Sequence, residues 1–111
     1  MSHDFDIIIP AVVKQDIEEI ILYYYQDRRE YAHSLFNTIY SKIQSLKKWP
    51  AKGKIVTELE KNNITGIREI LESHYRIVYR IEKHNVIILT VIDGRRNVED
   101  VLIKKLKRQL S

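Results

Sequence analysis

Cysteine is absent from all 111 residues, so this chain has neither a disulfide framework nor a thiolate metal site to draw on. That absence suits a reducing cytoplasm, the compartment we expect. Only three glycines and two prolines occur, which excludes collagen-like and low-complexity architectures and, with 44% hydrophobic residues, predicts a globular fold. No apolar run approaches the roughly 20 residues that span a bilayer. The opening segment MSHDFDIIIP carries acids where a secretory signal carries cations, so a soluble protein with no membrane partner is expected. Internal repeats and linkers are missing as well. At this length the expectation is one domain over residues 1–111 with a single core, since two cores need a longer chain.

The richest pattern lies between Gly66 and Arg96. Along Tyr75 to Glu82, Tyr75, Ile77, Tyr79 and Ile81 alternate with Arg76, Val78, Arg80 and Glu82, the period of two of a strand with one core-facing side. Val86 to Ile92 is apolar on both parities, broken only by Thr90, which predicts a strand buried on both sides near the sheet centre. Ile67 to Leu71 is a shorter strand candidate ahead of them. The polar links Glu72-Ser73-His74 and Lys83-His84-Asn85 are short enough to join all three as an antiparallel meander. Asp93-Gly94 then turns the chain out of the sheet and sets Arg95 and Arg96 at its end.

Before the meander, Asp4 to Ile9 reads as an edge strand ended by Pro10, whose ring suits the first turn of a helix. Val13, Ile17, Ile20, Ile21 and Tyr24 form one helical stripe. Of the neighbouring tyrosines, Tyr24 should turn to the core, with Tyr23 and Tyr25 at its margin. Asp27 with Glu30 resembles a capping box for a second helix, whose stripe is Ala32, Leu35, Phe36, Ile39, Ile43 and Leu46 and whose stop is Pro50. Trp49 is expected to plug the space under that helix end. Ile55 to Leu59 reads as a short strand and Glu60-Lys61-Asn62-Asn63 as a polar loop. Last comes a helix with Asn97 as N-cap, Glu99 and Asp100 in its first turn, and Val101, Leu102, Leu106 and Leu110 on its apolar side. The fold class is α+β: an N-terminal strand, an antiparallel helical hairpin on a mainly antiparallel sheet of three or four further strands, and a C-terminal helix.

Charge is unevenly spread, with three cations against seven acids in residues 1–30 and six against two in residues 95–111. Such asymmetry suits an acidic or polyanionic partner near the C-terminal half. Ala11, Asp16-Ile17, Ile20 and Tyr24, then Ala32, Phe36, Ile39 and Leu46, then Pro50 and Gly53, and finally the segments GIRE, HYRIVYRI and VIDGRR follow one another in a telling order and spacing. Over nearly its whole length the chain resembles toxins of the RelE/ParE superfamily, the toxic half of bacterial type II toxin-antitoxin pairs. The resemblance implies a helical hairpin on an antiparallel sheet, a cognate antitoxin that wraps the toxin, and one of two targets. RelE-like members cut messenger RNA in the ribosome, and ParE-like members poison DNA gyrase. No cofactor or metal is expected.

Cleavage beside a 2′-hydroxyl needs a proton acceptor, cations on the phosphate and an acid for the leaving oxygen. By the resemblance, Arg76 and Arg96 match positions where RelE-like nucleases carry phosphate-stabilising arginines, which makes them the candidate catalytic residues under a ribonuclease reading. Leu102 stands where RelE has a functional tyrosine, the His-Tyr ending of another nuclease branch is absent, and only Arg68 loosely matches the paired lysines of the RelE strand. Histidine suits proton transfer near neutrality, but His74 and His84 both fall in expected turns. The missing groups favour a ParE-like toxin that binds gyrase, with Arg68, Arg76, Arg80, Arg95, Arg96, Lys104, Lys105, Lys107 and Arg108 as candidate partner contacts. These cations also have a plainer reading, in which arginines on a sheet face pair with acids such as Glu69 and Glu82 and the basic helix is a solvated face. Arg76 and Arg80 would stand about 13 Å apart along a strand, too far to grip one phosphate together. Two alternatives stay open: a ribosome-dependent endoribonuclease, and a small basic RNA-binding domain.

Overall fold

Residues 4–110 are described by the computed structural model, and within them five strands, β1 (Asp6–Ile8), β2 (Lys54–Ile55), β3 (Ile67–Glu72), β4 (Tyr75–Glu82) and β5 (Asn85–Asp93), form one sheet in the order β1-β5-β4-β3-β2. The side chain of Leu110, placed by its spacing on the last apolar stripe, lies outside the described residues. β3, β4 and β5 are the expected antiparallel meander, and β1 adds parallel to the free side of β5. Both flanks of β5 are therefore hydrogen-bonded, and its lack of alternation has a structural cause. Val78 pairs with Thr90 and Tyr79 with Ile88, which leaves Leu89 as the extra residue of a bulge. Past that point the parity changes, so Val91 faces the same apolar layer as Ile88 while Leu89 and Ile92 face the other. The two links are shorter than their polar composition implies, since Glu72 and Asn85 belong to the strands. Ser73 and Lys83 take φ of 56° and 54°, the primed turn geometry that suits the strand twist and that no glycine signals here.

Two helices, α1 (Ala11–Tyr25) and α2 (Arg29–Gln44), cover one face of the sheet. Val13, Ile17, Leu35, Ile39, Ile43 and Leu46 pack there against Ile70, Ile77, Tyr79, Val86, Ile88 and Val91. Three local expectations are corrected. Arg28, not Asp27, precedes the first turn of α2 and makes no side-chain cap, so the capping box does not form. Phe36 is 41% exposed and pairs with Tyr40 on the outer side of the hairpin, because it lies at the edge of the buried arc. Trp49 is 66% exposed, since Leu46 already fills the space beneath the helix end.

The opposite face carries an apolar layer of its own, in which Val56, Leu59, Ile67, Val78, Leu89 and Ile92 meet Val98, Leu102 and Leu106 of α4 (Val98–Leu110). This corrects the expectation of a single core. A sheet placed between two thin layers buries both its faces without a longer chain. Ile55 to Leu59 is likewise not one strand: β2 ends at Ile55 and a one-turn helix, α3 (Thr57–Glu60), follows. Val56 and Leu59 lie three residues apart, so a helical turn brings both to the same layer where a strand would send them to opposite sides.

A buried carboxylate fastens α4 in place. Asp16 of α1 is 5% exposed and accepts hydrogen bonds from Thr90 Oγ1 at 2.9 Å, from Lys105 Nζ at 2.9 Å and from Arg108. Burial opposes its ionisation, but the bonds from Arg108, Lys105 and Thr90 outweigh that and hold the carboxyl below the usual aspartate range. With a depressed folded-state pKa, its contribution is complete above the unfolded aspartate value near about 3.9 and declines as acid titrates the folded carboxyl below that. Asp16→Asn is expected to cost about 2 kcal/mol at pH 7 and to lessen the loss of stability on acidification. Urea melts at pH 7 and pH 3 measure both, and coincident stabilities of the two proteins at each pH would show that the latch contributes nothing.

Candidate functional site

Arg76 sits near the start of β4 on the α4 side of the sheet, opposite Leu71 and diagonal to Glu69. Its guanidinium is held between two carboxylates. Nη1 and Nη2 donate to the two oxygens of Glu58 at 2.8 and 2.9 Å, Nε donates to Glu69 Oε1 at 2.9 Å, and Nη2 also reaches Glu69 Oε2. Such fork-on-fork contacts are the strongest geometry an arginine offers a carboxylate. The hydrogen bonds it donates hold the Glu58 carboxyl down to about 2, and donating to Glu58 and Glu69 raises the guanidinium above its ordinary value despite burial. Gly94 roofs the group. A Cβ there would lie 2.9 Å from the His74 carbonyl and 3.1 Å from Arg76 Cδ, and its N–H donates to that same carbonyl at 2.7 Å. Beside this cluster opens a cavity of about 400 Å³ whose wall includes Lys54, Ser73, His74 and Arg95.

The other sequence candidates are dispersed. Arg80 pairs with Glu82 at 2.6 Å, and Arg95 folds back on Asp93 with Nε at 3.0 Å and Nη2 at 2.8 Å, so that these bonds hold the Asp93 carboxyl at about 2. Arg68 donates to the carbonyls of Gly53 at 2.6 Å and Ala51 at 3.4 Å. Lys105 and Arg108 belong to the Asp16 latch, whereas Lys104 and Lys107 are exposed. Arg96 is exposed and opens to a separate cavity of about 340 Å³ with Tyr23, Tyr24, Tyr75 and Lys105. Arg76 and Arg96 thus face different cavities, with Arg95 at the rim of both.

The two candidate histidines, His74 and His84, lie in turns. His84 Nε2 is 2.8 Å from the Asp4 carbonyl and its ring stacks on Phe5 at 4.6 Å. His74 Nε2 stands 3.9 Å from Asp93 Oδ2 with no hydrogen bond. Leu102 is fully buried on the sheet-facing side of α4 and lines neither cavity. Tyr24 is half-buried as expected: its hydroxyl accepts from Tyr75 at 3.1 Å and its ring meets the edge of Tyr31 at 4.9 Å. Among the described residues, no group of three or more histidine, aspartate or glutamate side chains is placed to hold a metal ion, and no helix is long and apolar enough to cross a membrane.

Sequence reasoning missed Glu58 and Asp16. Nothing local marks Glu58, which reads as part of a strand until α3 turns it toward Arg76. Asp16 does leave a trace, because it stands beside Ile17 within the apolar stripe that begins at Val13, where a charge needs a partner.

Comparison with known proteins matches residues 7–98 to the family model of the ParE toxin of the type II toxin-antitoxin system parDE. No curated protein sequence matches. Among solved structures, a chain of the chromosomal ParDE toxin-antitoxin system from P. aeruginosa superposes with a TM-score of 0.67 at 18% identity, covering 83% of this chain and 98% of that one. A chain of the RelBE2 toxin-antitoxin complex from Mycobacterium tuberculosis gives 0.54 at 17% identity, covering 81% and 91%. At such identities these likenesses concern the fold, which is the α+β arrangement expected.

Proposed function

The chain belongs to the ParE toxin family of type II toxin-antitoxin systems, and on that premise we propose that it arrests growth by binding DNA gyrase and is neutralised by a cognate antitoxin. The observation that carries the binding reading over the ribonuclease one is the state of Arg76. Four hydrogen bonds to Glu58 and Glu69 engage all three of its nitrogens and four of its five N–H groups, and two carboxylates face the one guanidinium. Arg76 is thus an engaged ion-pair partner and not a waiting cation, which weighs against its stabilising the charge of a cleavage transition state. Leu102, buried where RelE-like nucleases have a tyrosine, supports the same reading. The exposed cations Arg96, Lys104 and Lys107 remain free to meet an acidic partner surface.

Expression of the chain alone is expected to stop growth in a plate assay, and co-expression of the neighbouring antitoxin gene to restore it. Purified protein should inhibit supercoiling by gyrase or trap cleaved DNA, and should leave messenger RNA intact on programmed ribosomes. Codon-positioned cuts that vanish in Arg96→Ala, a variant that disturbs no internal contact described above, would overturn the gyrase reading in favour of a ribonuclease. Normal growth with abundant folded protein would remove toxicity altogether and turn attention to the RNA-binding alternative.

A further inference from the structure

We propose that the surface around Trp49 binds single-stranded nucleic acid, with the indole ring stacked on a base and the neighbouring lysines on phosphates. From Tyr31 to Thr57 the sequence holds five lysines, Lys42, Lys47, Lys48, Lys52 and Lys54, and no aspartate or glutamate. The fold leaves their charge standing. Among the described residues the lysines in ion pairs are Lys61 and Lys105, and of these five all but the half-buried Lys42 are exposed. A cavity of about 330 Å³ opens between Lys42, Lys52 and Lys54, and one of about 280 Å³ between Lys47, Lys48 and Trp49. Lys52 Nζ donates at 2.6 Å to Ser45 Oγ, in the wall of the second, and so links the two. The acids described in these walls are Asp4 and Glu69, and Glu69 is held by Arg76. Neither Arg76 nor Arg96 lines either cavity, so the surface is separate from the ribonuclease candidates.

Trp49 makes this more than a field of charge. Its side chain points outward, 66% exposed, from a backbone that is fastened from beneath. Lys52 N–H donates to the Trp49 carbonyl at 3.1 Å, Tyr79 Oη donates to the Pro50 carbonyl at 2.6 Å, and Gly53 N–H donates to that same hydroxyl at 3.0 Å. A Cβ on Gly53 would come within 2.4 Å of the Tyr79 oxygen, so only glycine lets the loop lie this close. An aromatic face on a loop already fixed costs little ordering when a ligand arrives. Bases of a single strand are free to stack on such a face, and the flanking phosphates then meet the lysines. A bilayer is the rival partner for a tryptophan among lysines, but it holds a protein through several buried apolar side chains. Among the described residues lining the second cavity, Trp49 is the one large apolar side chain.

Trp49 is also the only tryptophan in the chain, which makes a fluorescence test specific to this surface. Its emission in the full chain, excited where tyrosine does not absorb, should fall saturably on titration with oligothymidine or oligouridine of about 15 nucleotides. Anisotropy of the labelled oligonucleotide should give a log–log salt slope of about −3, as for about four phosphate contacts on a single strand. Affinity should drop about fivefold or more in Trp49→Ala, in Lys48→Glu and in Lys52→Glu. Arg29→Glu makes the same charge change at the far end of α2, beyond the screening length, and should cost less than about twofold. Circular dichroism melts check each fold, and quenching in the parent needs no variant. The proposal is overturned if neither oligonucleotide quenches Trp49, if the Trp49 or lysine variants bind like the parent, or if Arg29→Glu loses as much as they do. It is equally overturned if only vesicles containing phosphatidylserine move the emission. Quenching with the expected losses supports it, and the tighter of the two oligonucleotides tells whether DNA or RNA is the strand. Gyrase and growth arrest play no part in these measurements, so the toxin reading stands or falls separately.

Discussion

Replacing either Ile39 or Leu89 by aspartate is expected to leave the chain unfolded at 25 °C. Ile39 is 0% and Leu89 4% exposed, and neither has a cation within its apolar layer to pair with a new carboxylate. Burying such a group unpaired costs several kcal/mol, against a total stability of about 5–15 kcal/mol for a domain. The two positions test different things. Ile39 belongs to the layer between the hairpin and the sheet, whereas Leu89 lies in the layer beneath α4. Circular dichroism and thermal melts decide, and a native-like melt of Leu89→Asp alone would mean that the α4 layer is dispensable to the fold.

Arg76→Ala should destabilise the protein by about 3–5 kcal/mol, because it leaves Glu69 buried without its cation. Glu69 is 3% exposed, whereas the Glu58 side chain, 27% exposed, can turn outward. The double replacement Arg76→Ala/Glu69→Ala should therefore be more stable than Arg76→Ala, although it removes more hydrogen bonds. Chemical denaturation of the three proteins measures the difference. If Arg76→Ala were as stable as the parent, the carboxylates would not be holding this cation, and the ribonuclease reading would regain its phosphate donor. The same reasoning bears on any activity assay, since a defect in Arg76→Ala mixes lost contact with lost fold while Arg96→Ala does not.

Much of the fold was legible because it is written in periodicity. The alternation through Tyr75 to Glu82 set the bounds of β4, the helical spacing of Val13 through Tyr24 and Ala32 through Leu46 set the hairpin, and the doubly apolar run at Val86 to Ile92 set the inner strand. Family membership was legible too, in the order and spacing of these elements, and the family model matches residues 7–98. The state of each charge was another matter. Arg76 meets Glu58 from 18 residues away, and Asp16 meets Lys105 and Arg108 from 89 and 92 away. No local pattern signals such pairings. The second apolar layer, the exposure of Phe36 and Trp49, and the split of Ile55 to Leu59 into β2 and α3 also waited on the tertiary structure. Backbone period is a property of neighbours in sequence, so the sequence by itself determined which segments are strands and helices. The partner of a side chain, and hence whether an arginine is a latch or a free cation, depends on what the folded chain brings within about 3 Å, which only the tertiary structure decided.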